Sequence, residues 1–170
     1  RALALSGFRS VSNGLYLRPA NLVGGVPLVR ERLYRLGLEA GTPVFQASQL
    51  DERLDAQARQ LWNGTALTQA YLRTHQQLSD WLQRSGSLDT ETAARESYLL
   101  GNEAIRQLVF DPLLPQPLVD VQARRDFTDA VIAFDLAGRR IWQSLLSSLQ
   151  SSTPSNLPSH HVHAQRHTTH

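Results

Sequence analysis

The chain has 170 residues, 41% of them hydrophobic, and a formal charge of +2, which suits one ordinary domain or a compact domain with a smaller one attached. It contains no cysteine, which excludes disulfide staples, thiolate nucleophiles and cysteine-held metals, and it shows no signal-peptide pattern. No run approaches the roughly 18 apolar residues needed to cross a bilayer, so a soluble, cytoplasmic protein without a membrane partner is expected.

Residue 1 is Arg and no Met occurs anywhere, so sequence upstream of Arg1 is expected, and a missing functional domain stays in play. All 17 basic residues are arginines, set against 15 acids, a balance that carries no nucleic-acid signature. Residues 1–48 depart from it, with Arg1, Arg9, Arg18, Arg30, Arg32 and Arg35 against only Glu31 and Glu39. Asn13-Gly14 marks a turn, and Leu15 to Arg18 reads as a short strand that stops near Pro19. Pro27 suits the first turn of a helix whose apolar side is Leu28, Val29, Leu33 and Leu36 and which ends at Gly37. Val44 to Ala47 reads as another short strand. Residues 1–50 are thus expected to be a partial α/β domain whose sheet edges and apolar face need partners.

From Asp51 the period becomes helical. A short helix passes through Leu54, Ala58 and Leu61, followed by Trp62. Thr65 can cap a longer one in which Leu67, Tyr71, Thr74, Leu78 and Trp81 or Leu82 form an apolar stripe until Ser85-Gly86-Ser87. Asp89 or Thr90 opens the next, with Ala94, Tyr98, Gly101, Ile105 and Leu108 on one side. Gly101 costs about 1 kcal/mol relative to Ala in a helix interior, and a close helix crossing is its main explanation, an opening toward a ligand the lesser one. Asp111-Pro112-Leu113-Leu114-Pro115 breaks the helical run, since proline lacks an amide donor and restricts the residue before it. We read it as a packed corner fastened by Leu113, Leu114 and Leu118. The last helix is expected from about Arg124 to Leu149, on the rhythm Phe127, Val131, Phe134, Gly138, Ile141, Leu145 and Leu149. Residues 51–150 therefore form a helical domain, and 151–170 a flexible tail in which His160, His161, His163, His167 and His170 have no rigid metal-site spacing.

Catalytic motifs are missing: no glycine-rich phosphate loop, no His-Glu-x-x-His and no Gly-x-Ser-x-Gly. His75, the one histidine outside the tail, is better placed for a surface or core role than for catalysis. Glu96 and Glu103 share a helix side, but the Glu-x-x-His pairing of two-metal bundles is lacking, and Glu103 with Arg106 reads as a local ion pair. Neither an enzyme nor a cofactor is expected. Trp62, Tyr71, Trp81 and Tyr98 either fill the bundle or line a cavity between helices, with Arg73, Arg95 or Arg106 at its mouth.

In order, these pieces resemble the later two-thirds of a PaaX-like transcriptional repressor. The resemblance rests on Gly7 to Pro19 with the basic helix around Val29 to Leu33, on Leu61-Trp62 before the aromatic helix, and on Phe110 to Pro115 between Leu99-Leu100 and a long last helix. It implies an α+β fold, a partial ferredoxin-like α/β domain followed by a mostly helical C-terminal domain. It also implies a homodimer, an operator-binding winged helix outside this chain, and an acyl-CoA effector. Arg9, Arg18, Arg30, Arg32 and Arg35 are then candidates for effector or phosphate contacts. The competing reading is a small-molecule or acyl-CoA binding protein that regulates nothing.

Overall fold

The computed structural model describes residues 2–151; the histidine-rich tail considered above lies outside them. A short α1 (Ala2–Leu5) leads into a hairpin of β1 (Arg9–Ser12) and β2 (Leu15–Leu17). The strands pair antiparallel, Arg9 with Leu17 and Ser10 with Tyr16, around the Asn13-Gly14 turn. The helix α2 (Gly25–Arg35) follows and buries Leu33. It starts two residues before Pro27, and Leu28 and Leu36 on its expected apolar side stay exposed.

The expected strand at Val44 to Ala47 does not form. A strand requires a neighbour to bond its amides and carbonyls, and the only sheet among the described residues is the hairpin itself. The segment is instead tied by side chains of α2, with Arg30 donating to Val44 O at 2.7 Å and the Tyr34 hydroxyl to Thr42 O at 3.2 Å. Phe45 is left 68% exposed. The architecture is α+β, with one small hairpin attached to a helical body.

That body contains α3 (Glu52–Arg59), α4 (Gly64–Arg84), α5 (Thr90–Val109) and α6 (Val121–Ser151). Each begins at a residue whose side-chain oxygen accepts from free first-turn amides. Asp51 accepts from Leu54 N, Asn63 from Ala66 N, Asp89 from Thr92 N, and Asp120 from Gln122 N and Ala123 N. Asn63, not Thr65, therefore caps α4. The amide bonds at Asp89 hold its carboxyl below the usual carboxylate range.

The long α6 packs along both α4 and α5. Tyr71, Leu78 and Trp81 from α4 meet Phe127, Val131 and Phe134 from α6 in one core. The Tyr71 and Phe127 rings stack with centroids 5.8 Å apart, and Trp81 tilts against Phe134 at 4.5 Å, separations at which aromatic pairs attract beyond simple burial. The buried side of α5 is Ala93, Ala94, Ser97 and Ala104, one step around the helix from the expected stripe. Small side chains let α5 lie close to α6, and Tyr98 and Ile105 turn outward.

Between α5 and α6 the chain bends through the expected corner. Leu114 and Val119 are buried, whereas Leu113 is 46% exposed and adopts φ 54°, a left-handed conformation disfavoured for a side chain of this kind. The tight approach expected between helices at Gly101 is found instead at Gly64, at the start of α4, where a β-carbon would overlap Leu118 O of the corner. At Gly101 the nearest atom to such a carbon is Cε1 of Phe134, at 3.4 Å.

Candidate functional site

The corner is where the N-terminal segment docks. Asp111 is fixed from two directions: its Oδ1 accepts from Leu113 N at 2.7 Å and its Oδ2 from the Tyr71 hydroxyl at 2.9 Å. The second bond ties the corner to α4. Burial first, and the Asp111 charge second, push the Tyr71 phenol far above its ordinary pKa. Asn21 Nδ2 donates to Leu113 O at 2.5 Å, Arg18 reaches Pro112 O at 3.5 Å, and Trp62 Nε1 donates to Gly7 O at 3.1 Å. The left-handed turn at Leu113 thus presents its carbonyl to the incoming Asn21.

Two depressions stand out, one at this junction and one away from it. The smaller, about 120 Å³, lies at the docking junction and is lined by Leu5 to Phe8, Arg18 and α2 on one side and by the end of α5 and Asp111 to Leu113 on the other. The larger, about 410 Å³, is an open groove between α5 and α6. Gly101, Ala104, Val131 and Gly138 help form its floor, with Tyr98, Ile105, Trp142 and Leu146 as apolar walls. Trp142 is held by a bond from its Nε1 to Ser97 Oγ at 3.1 Å. Asp135 and Arg139, which also line the groove, form an ion pair at 2.6 Å. Such a slot suits a flat or extended apolar group with a polar end.

The residues singled out from the sequence divide between these places. Trp62, Tyr71 and Trp81 are buried in the core, while Tyr98, 61% exposed, lines the groove alone among the four aromatics. Arg106 is exposed and lines neither depression. It forms no ion pair with Glu103; among the described residues the ion pair joining α4 to α5 is Arg84 with Glu96, at 2.8 Å. Of the five N-terminal arginines, Arg9 donates to its neighbour Phe8 O, Arg30 to Val44 O, and Arg35 pairs with Glu31. Only Arg18 and Arg32 come together, at the smaller cavity. Asp111, Pro112 and Leu113 line that cavity too, while Leu114 sits in the core and Pro115 beside it is half-buried. His75 is half-buried on α4. No cluster of three or more His, Cys, Asp or Glu side chains able to hold a metal occurs among the described residues. Gly64 and Leu146 carry no signal in the sequence, and the groove walls do not emerge from it as a set, because they belong to two helices and neither stripe shows the other.

These features define a mostly helical scaffold with a groove between α5 and α6 and an N-terminal segment docked at the corner. Residues 62–144 match the family model described as PaaX-like protein C-terminal domain, a span running from the buried Trp62 into the last third of α6. This span carries a PaaX-like C-terminal domain, which supports a place in the PaaX-like family of transcription regulators. No curated protein and no solved structure matched the chain. No helix among the described residues is long and apolar enough to cross a membrane.

Proposed function

We propose that this chain is the dimerising and effector-responding part of a cytoplasmic PaaX-like repressor. Residues 1–50 belong to a middle domain of ferredoxin-like character and 51–150 to the helical effector domain, while a winged helix outside this chain reads operator DNA through the major groove. The effector is an acyl-CoA, its acyl group lying in the α5–α6 groove over Gly101 and Gly138. The observation that carries this reading is the groove itself: an open apolar slot lined, but for Leu146, by the span that matches the regulator family. An acyl-CoA that binds the arrangement unable to hold DNA more tightly shifts the population and releases the operator.

The test is an operator titration of the gene-encoded protein at fixed salt, with and without acyl-CoA compounds, beside sedimentation of the same sample. Operator affinity should fall as acyl-CoA is added, and the protein should sediment as a dimer. Salt is held constant because phosphate contacts alone make affinity strongly salt-dependent. Acyl-CoA binding without any change in operator affinity would favour the second reading, a non-regulatory acyl-CoA binding protein, since the groove needs no DNA to be occupied. A strict monomer with no DNA-dependent assembly would remove the dimeric mechanism.

A further inference from the structure

We propose that the junction cavity between Arg18 and Arg32 binds the oxyanion head of a small ligand, a carboxylate or a phosphate group. The case begins with an imbalance of charge. Arg18 is half-buried, and its guanidinium donates only to neutral acceptors: Ser6 O at 2.5 Å, Pro19 O at 3.2 Å, Asn21 Oδ1 at 3.3 Å and Pro112 O at 3.5 Å. Arg32 lines the same cavity, and its side chain makes no hydrogen bond or ion pair among the described residues. The one acid in the lining, Asp111, has its oxygens engaged by Leu113 N and the Tyr71 hydroxyl and pairs with neither arginine.

Two like charges facing one cavity, neither paired with the single carboxylate in its wall, are costly where water is partly excluded. An oxyanion relieves that cost and gains charge-assisted bonds to planar guanidinium groups, whose geometry matches both carboxylate and phosphate. Burial, and then the charge of Arg32, also lower the pKa of Arg18, as expected for a cation lacking a nearby anion. The apolar remainder of the wall, including Leu22, Val29 and Leu108, strengthens any such interaction by lowering the local dielectric. The volume of about 120 Å³ equals roughly four waters at about 30 Å³ each. It admits a head group with a short substituent but does not enclose a whole nucleotide. A bound anion would touch both the N-terminal segment and the corner, and so would tighten their docking.

The inference stands apart from the regulator reading, because its test reads binding with no DNA present. The 170-residue chain is titrated calorimetrically in low-salt buffer with benzoate and, separately, with inorganic phosphate. At least one should bind saturably, and added salt should weaken it. Arg18→Gln would also remove bonds that shape the fold, so Arg32→Gln is the decisive variant: Arg32 is exposed and its side chain is bonded to nothing described. It should leave the circular dichroism spectrum and melting temperature unchanged and weaken binding about tenfold, whereas Arg30→Gln should not. Tighter binding of benzoate assigns the site to a small apolar acid, and equal or tighter binding of phosphate to a phosphate group. The proposal is overturned if neither anion binds saturably, or if Arg30→Gln and Arg32→Gln lose affinity equally, the mark of diffuse charge.

Discussion

At Gly64 a β-carbon would overlap Leu118 O, a backbone atom that cannot rotate away. Gly64→Ala should therefore force the start of α4 and the corner apart, costing about 3 kcal/mol, read as a lower urea midpoint with the spectrum of a folded protein. Nothing in the sequence marks this glycine, since Asn-Gly before a helix looks like an ordinary loop; only the approach of a segment more than fifty residues away gives it a role. Tyr71 carries a second prediction. Its phenol keeps its proton more firmly in the folded state than in the unfolded chain, where its pKa is about 10. That stabilisation is fully present below about pH 10 and is lost as pH rises toward the folded value. Tyr71→Phe should cost about 1–2 kcal/mol at neutral pH by leaving Asp111 Oδ2 short of a donor. The gap between wild type and variant in chemical denaturation should then narrow above about pH 10.

The helices show where sequence pattern suffices. The α4 stripe Tyr71, Thr74, Leu78 and Trp81 and the first part of the α6 rhythm, Phe127, Val131, Phe134 and Gly138, are buried as their spacing predicts, whereas Leu67, Ile141 and Leu145 are half-buried and Leu149, where α6 runs past its neighbours, is exposed. On α5 the larger side chains Tyr98 and Ile105 invited the wrong face. Alanines and Ser97 hold the inner side because space beside α6, not hydrophobicity, decides it. Val44 to Ala47 has local β preference but no partner strand, which no local pattern reports. Gly138 offers a test of the groove floor. A β-carbon there would meet Ser97 Cβ at 3.6 Å, an ordinary contact, so Gly138→Ala should gain about 0.5–1 kcal/mol from helix propensity. Thermal denaturation should show a higher midpoint, and a lower one would mean that the two helices lie closer than described.

Across the whole molecule the N-terminal segment and the helical body are joined mainly through the corner and Trp62, while residues 43–51 run between them without helix or strand. Chymotrypsin should cut first after the exposed Phe45, leaving a helical fragment that still melts cooperatively; mass spectrometry of early digests identifies the bond. The helical body was readable from the sequence because its information is periodic and local. The junction cavity was not, since Arg18, Arg32 and Asp111 acquire a common address only after the corner folds. The same corner sets an order in time. Asn21 and Arg18 find their acceptors 92 and 94 residues further along the chain. At a synthesis rate of roughly 5–20 residues per second, the hairpin and α2 emerge about 5–20 s before those acceptors exist. Closing so long a loop gains nothing until α4, α5 and α6 have assembled around Leu114. The first segment made is therefore the last to be secured, and a mutation that delays the corner leaves the hairpin and α2 undocked for longer than its effect on final stability would suggest.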